Sequence, residues 1–447
     1  MPPTFTLFRR ARQGFTGAEC LLLGAMLFVF WFPDFNRIWA LLAVPVILGG
    51  RLLLYRRLWT RTPLDWAFIA LIALCLLSIA AAPFRQGNVA LTWFGADVRV
   101  PYAWIVIGRP VCGVLLAASL IEFARRSGRL MPLVFVTGLL ALLLGVLGLL
   151  AAQYTVKSEQ VMFIIQVLPR LTGFPGAQGG FNVNEIAGGM SWFAPLTLAC
   201  AFACWTMRPR SPFIMLCALI HSAAFVLLWV AIFLGQSRFA VLGVLPMLLV
   251  VVWLLARGRV RVFGLAVLVA FGAWQGIISS NIFSTQADQI QQRDEDSVSS
   301  RLLIWQSALG IMRDYPLTGA GMNNFRFAAV RAAYPVAGYE TNVLPHAHNE
   351  WLQLGADFGI PGVAWLVGVQ ITAGWLAWRT WRQSTGLGRA LALGAVCGIA
   401  AHLVYGVGDA IPLWDRLAFG GWWVVGLLGA SYWITTQKTE GTFVNSV

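Results

Sequence analysis

The side chains best suited to moving a proton are concentrated in one short segment. Two of the chain's four histidines stand two residues apart in Pro345-His346-Ala347-His348-Asn349-Glu350-Trp351. Imidazole is the side chain whose ordinary pKa lets it accept a proton near neutral pH. Pro345 disfavours a helix before His346, and Trp351, Leu352, Leu354 and Phe358 follow at amphipathic spacing. A short helix is therefore expected to begin near His348 or Asn349. The positive end of its dipole favours the neutral ring that a general base requires.

The elements that must position this segment are set by composition. The 447 residues are 59% hydrophobic and 11% charged, whereas a soluble domain carries about 25% charged residues. Apolar runs of roughly 16–25 residues, most of them long enough as helices to cross a ~30 Å hydrocarbon core, recur along the chain. They fall near 17–32, 38–55, 65–82, 102–123, 130–152, 186–207, 212–234, 239–256, 260–278, 360–378, 388–408 and 417–436. The expected fold is an all-α polytopic membrane protein, a single integral membrane domain over 1–447 with about twelve transmembrane helices. Arg9, Arg10 and Arg12 precede the first run, but it continues into Trp31-Phe32-Pro33-Asp34 without a small-residue cleavage site, so this span is expected to be retained. The seven cysteines fall in or beside the runs and read as buried structural thiols.

A net charge of +14 would suggest nucleic acid in a soluble protein, but here its distribution points to topology instead. Arginines cluster in every second connection: 56, 57 and 61; 125, 126 and 129; 208 and 210; 257, 259 and 261; 379, 382 and 389. By the positive-inside rule these loops are cytoplasmic, together with the N-terminus and the tail at Lys438. The long connections 83–101, 153–185 and 279–358 then lie outside, the last as a large, partly helical periplasmic loop subdomain between the ninth and tenth spans. Arg170, Arg238, Arg301, Arg313, Arg326 and Arg331 remain on that side against the charge bias. There is no phosphate-binding loop for ATP, and no pair of inverted halves with broken helices is legible.

His348-Asn349, nine intervening residues, Gly359, two more and Gly362 resemble the signature of the O-antigen ligase family, within the superfamily that includes O-antigen polymerases and protein O-oligosaccharyltransferases. Three further segments resemble the same family: Gly235-Gln236-Ser237-Arg238; Ser300-Arg301 with Trp305, followed by Tyr315 to Phe325; and Arg170-Leu171-Thr172-Gly173, with Asn182 to Gly188 downstream. The resemblance implies a glycosyltransferase of lipopolysaccharide biosynthesis in a bacterial inner membrane. Its donor would be an undecaprenyl-diphosphate-linked glycan and its acceptor a sugar of lipid A-core, on the periplasmic face, with no metal or other cofactor.

On that footing Arg238 and Arg301 are expected to bind the departing diphosphate, because guanidinium groups clamp phosphate oxygens in bidentate fashion. His348 is the expected base on the acceptor hydroxyl, and a direct attack would invert the anomeric centre. Arg170, Arg109, His346 and Asn349 are further candidates for contact with the diphosphate or the acceptor, Asn349 also as a helix cap. Arg313, Arg326 and Arg331 read as solvated or anchoring groups, and Arg51, His221 and His402 as ionisable groups within spans. The alternative reading is an O-antigen polymerase, which must hold two lipid diphosphates and so needs more outward cations. A protein O-glycosylating relative is less favoured because the chain ends soon after its last span. A transporter of lipid-linked glycan would spread its charges through the membrane depth. Membrane lipids are the other expected partners, and the oligomeric state is not legible.

Overall fold

A computed structural model describes residues 3–31, 37–93, 96–154, 159–174, 177–287, 298–339 and 344–439. Most of them are helical, because a helix satisfies its own peptide groups where no water can. In chain order the first elements are α1 (Pro3–Trp31), α2 (Arg37–Tyr55), α3 (Asp65–Ala81), β1 (Asn88–Trp93), β2 (Ala96–Pro101), α4 (Tyr102–Ser127), α5 (Met131–Leu150), β3 (Ala152–Gln153), α6 (Glu159–Val167) and β4 (Phe181–Asn182). There follow α7 (Val183–Thr206), α8 (Pro212–Leu234), α9 (Arg238–Leu255), α10 (Gly258–Ala287), α11 (Val298–Asp314), α12 (Ala328–Ala333), α13 (Glu350–Phe358), α14 (Ile360–Gln383), α15 (Gly386–Gly408) and α16 (Ala418–Thr439). Helices α4, α5, α7, α8, α9, α14 and α15 are long and apolar enough to cross a membrane. The chain is thus a multi-pass all-α membrane protein. A helix stands at each of the twelve expected positions, but the full count of twelve spans is not reached on that measure.

Helix α15 lies inside the bundle, packed on α7, α9, α14 and α16. Small residues allow this closeness: a Cβ on Gly398 would meet the backbone oxygen of Trp192, and one on Gly243 that of Ala401. At the end of α4 remote from Arg109, charge is buried in pairs. Arg51 binds Glu19 at 2.5 Å, Arg126 reaches the same carboxylate, and Arg125 binds Glu122 at 2.5 Å. Arg51, read from sequence as an ionisable group within a span, is a partner in this network.

The other end of the bundle carries the segments that matter for function. Helices α11–α13 and the loops between them enclose a small core of their own, with Ile304, Ala308, Ile311, Phe325, Val330 and Ala347. Met322 N–H donates to Ser78 Oγ at the end of α3, and Asn323 Nδ2 donates to Tyr102 Oη at the start of α4. Residues 288–297 and 340–343 of the expected outer loop, with its acidic run at 294–296, lie outside the described residues.

Candidate active site

Asn349 starts α13 as the sequence predicts: its Oδ1 accepts the N–H of Leu352 at 3.0 Å, and its Nδ2 donates to the carbonyl of Val407 at 2.8 Å. On either side of it, Glu350 lies 2.8 Å from His402 Nε2, and His348 Nδ1 lies 3.1 Å from Asp409 Oδ1. Three consecutive residues are thus tied to the last turns of α15 and the residue that ends it. His348 is also held in the left-handed region, φ 47°, a conformation that costs a non-glycine residue of order 1–3 kcal/mol unless its surroundings impose it. The two glycines of the motif explain themselves here. Gly359 (φ 71°) turns the chain from α13 into α14, and a Cβ on it would meet the carbonyl of Pro316, which accepts Ile360 N–H at 2.7 Å. A Cβ on Gly362 would lie 2.6 Å from Leu354 O.

The protonation pattern follows from the contacts. Burial pushes the Asp409 carboxyl up, but the hydrogen bond from His348 and surroundings that include the Arg301 cation outweigh it, holding the group well below the usual carboxylate range. An ionised Asp409 only accepts, so His348 Nδ1 donates, and in the neutral ring the lone pair falls on Nε2. That Nε2 is buried and has no hydrogen-bond partner. His346 is different: burial first, then His348, Arg326 and Arg301, push it down to about 3 against the pull of Asp409. Its Nδ1 lies 3.9 Å from Asp409, within ion-pair distance, but the ring is neutral and its Nδ1 accepts the backbone N–H of His348 at 3.2 Å. We therefore read that contact as a neutral histidine supporting the loop.

Donor atoms of His346, His348 and Asp409 lie within 4.8 Å of one another, a spacing that a metal ion can use. The charge around them opposes a dication, since Arg301 and Arg326 act electrostatically on His346 and Arg301 also on Asp409.

Arg301 is buried on α11, its guanidinium 5.8 Å from the ring of Phe239, the neighbour of Arg238. Arg238 opens α9 within electrostatic reach of Arg301. Trp305 Nε1, one turn along α11, donates to His348 O at 3.3 Å. The structure therefore brings Arg238, Arg301, His346, His348 and Asn349 to one place. Arg109 donates to the carbonyl of Trp414 in the loop after Asp409. Arg170 is placed elsewhere: it is exposed, donates to Ala152 O at 2.9 Å and stacks on Tyr154 at 4.8 Å. His221, bonded to Val134 O at 2.9 Å, is a buried structural group.

Sequence reasoning missed Asp409. It lies far along the chain from His348, and its one signal is an acidic residue directly after an apolar run. Arg326 was read as bland, yet it sits over the ring of Trp414 at 5.3 Å and within electrostatic reach of His346. Arg331, read the same way, stacks on Phe325 at 3.9 Å with its guanidinium nitrogens buried. Of the four non-glycine residues at positive φ among the described residues, Gln236, Asn323 and His348 each fall in one of the three motif segments gathered here.

An all-helical multi-pass membrane protein with an Asp–His pair and buried guanidinium at one end of its bundle defines the class. Residues 223–367 match the O-antigen ligase family model, so this stretch of the chain is similar to the domain of that family, which supports the superfamily of O-antigen ligases and polymerases. The matched stretch contains Arg238, Arg301, Arg326, His346 and His348, whereas Arg109, Arg170 and Asp409 lie outside it. A search of curated proteins finds no match to the chain.

Proposed function

We propose that the protein is an O-antigen ligase, moving polysaccharide from undecaprenyl diphosphate to a sugar hydroxyl of lipid A-core at the periplasmic face of a Gram-negative inner membrane. The observation that carries the reading is the His348–Asp409 hydrogen bond with an unpartnered Nε2 on the far side of the ring. Nε2 takes the proton of the acceptor hydroxyl as its oxygen attacks the anomeric carbon. The bond from that carbon to the diphosphate breaks, and undecaprenyl diphosphate leaves with the electron pair, inverting the centre in one displacement. Asp409 fixes the tautomer and stabilises the imidazolium that forms, as a carboxylate does behind any such base. Arg238 and Arg301 balance the charge that grows on the leaving diphosphate, in place of a divalent ion. Arg109 and His346 are proposed to contact the acceptor, and Asn349 to hold the loop. Twelve spans with both termini in the cytoplasm, and 279–358 as a periplasmic subdomain, complete the proposal.

An O-antigen polymerase is the second reading, favoured by one observation: Arg109 and Arg326 add cations beyond the Arg238–Arg301 pair. The deciding experiment offers a defined undecaprenyl-diphosphate glycan and purified lipid A-core to the protein in detergent with a chelator present. Transfer to lipid A-core that survives chelation and collapses in a folded His348→Ala variant supports the ligase. Lengthening of the glycan on its carrier, without transfer to lipid A-core, replaces it with the polymerase.

A further inference from the structure

Among the described residues, Arg326 is a cation in no ion pair. Its guanidinium rests over the indole of Trp414, and among the described residues it has neither a hydrogen bond nor an ion pair. A cation–π contact uses no N–H donor in a hydrogen bond, so the fork of donors remains available to an oxyanion. Arg109 binds the carbonyl of the same Trp414, and the two guanidinium groups lie within electrostatic reach of each other. The carboxyl nearest to Arg109 in charge is Asp415, which burial and then Glu185 push up towards its neutral form. Two adjacent cations repel each other, and an anion bound between them offsets that cost.

Charge matching assigns the anion. The diphosphate of a lipid-linked donor carries one negative charge on each phosphate, and Arg238 and Arg301 already answer them. The second pair stands on different elements, α4 and the loop before α12, yet Arg326 reaches His346 as Arg301 does. It therefore flanks the histidines where an acceptor hydroxyl has to lie. We propose that Arg326, together with Arg109, binds a phosphate group carried by the acceptor. The assignment rests on the reading in which the acceptor hydroxyl meets His348.

The test is equilibrium binding by the full-length protein in nanodiscs of uncharged lipid, with transfer followed separately. The probes are lipid A-core, the same material after phosphatase treatment, an undecaprenyl-diphosphate-linked repeat unit as acceptor, and the donor polymer. Arg326→Gln is expected to weaken the phosphorylated acceptor about 10- to 100-fold, the scale of a lost charged hydrogen bond. Binding of the phosphatase-treated acceptor and of the donor should not change. Arg326→Lys, melting like the parent, should recover part of the loss, which separates charge from packing on Trp414. A loss confined to lipid A-core identifies a phosphorylated sugar as the source, and one confined to the repeat unit identifies a lipid diphosphate. Equal losses with and without phosphate, weakened donor binding, or no loss for either phosphorylated acceptor would overturn the proposal. Absence of transfer to every acceptor, with phosphate-dependent binding at Arg326 intact, would instead overturn the enzymatic reading alone.

Discussion

At the scale of single residues, what distinguishes His348 from the other three histidines is that one ring nitrogen bonds an ionised carboxylate while the other is left without a partner. Nδ1 is committed to Asp409 and Nε2 is open, whereas His221 bonds only a backbone carbonyl through Nε2, with no carboxylate behind the ring, and His402 lies between Glu350 and Ser191 against the ring of Trp192. A base held in one tautomer contributes about 10²–10⁴ in rate. His348→Ala should thus lower kcat by that factor in single-turnover transfer, with donor affinity unchanged. Asp409→Asn is the sharper test, because its amide can donate to Nδ1 and force the proton onto Nε2. A loss of kcat of at least about tenfold is expected; full activity in Asp409→Asn would remove the carboxylate from the mechanism.

The same logic extends to elements. Helix α13 is short, and what places it is its cap on one side and a buried carboxyl on the other. Asn349→Ala removes both the cap and the link to Val407. We expect a loss of about 1 kcal/mol for the cap alone, seen as a lower thermal midpoint, and a drop in transfer because the segment that carries His348 loses its link to Val407 of α15. At the far end of the helix, Asp357 accepts from Asn323 N–H and from Gln353 Nε2, both at 3.0 Å. Burial raises it from 3.8 to about 7, only partly offset by Gln353, Asn323 and Trp414. The folded chain therefore keeps a proton that the unfolded chain has released by about pH 4. That contribution to stability is complete below pH 4 and is lost as pH rises towards 7. Asp357→Asn, uncharged and of the same shape, should melt above the parent at pH 8 and level with it at pH 4; parallel melting curves would show that Asp357 does not carry this dependence.

For the whole molecule the decisive property is sidedness. All seven cysteines are buried, so a new exposed one reports on topology with little background. Arg313 on α11 and Arg208 after α7 are both exposed and, on the proposed topology, face opposite sides. Arg313→Cys should react with a membrane-impermeant thiol reagent in intact spheroplasts, and Arg208→Cys only after lysis. The reverse pattern would turn the protein over and place the histidines in the cytoplasm.

Hydrophobic runs long enough to cross a membrane, with arginines in alternate connections, are local properties of the chain, and they alone determined the helical multi-pass class. The His348-Asn349…Gly359…Gly362 spacing was equally legible, because the cap, the turn and the close backbone approach all lie within a few residues of each other. Asp409 and Arg326 were not legible, since nothing near them in sequence refers to His348. Only the packing of α15 inside the bundle, made possible by small residues such as Gly398 and Gly243, carries Asp409 to the ring and the next loop's Trp414 under Arg326. The helices and their motifs are written in the chain, but which distant charges meet at the histidines is decided by how closely the helices can approach.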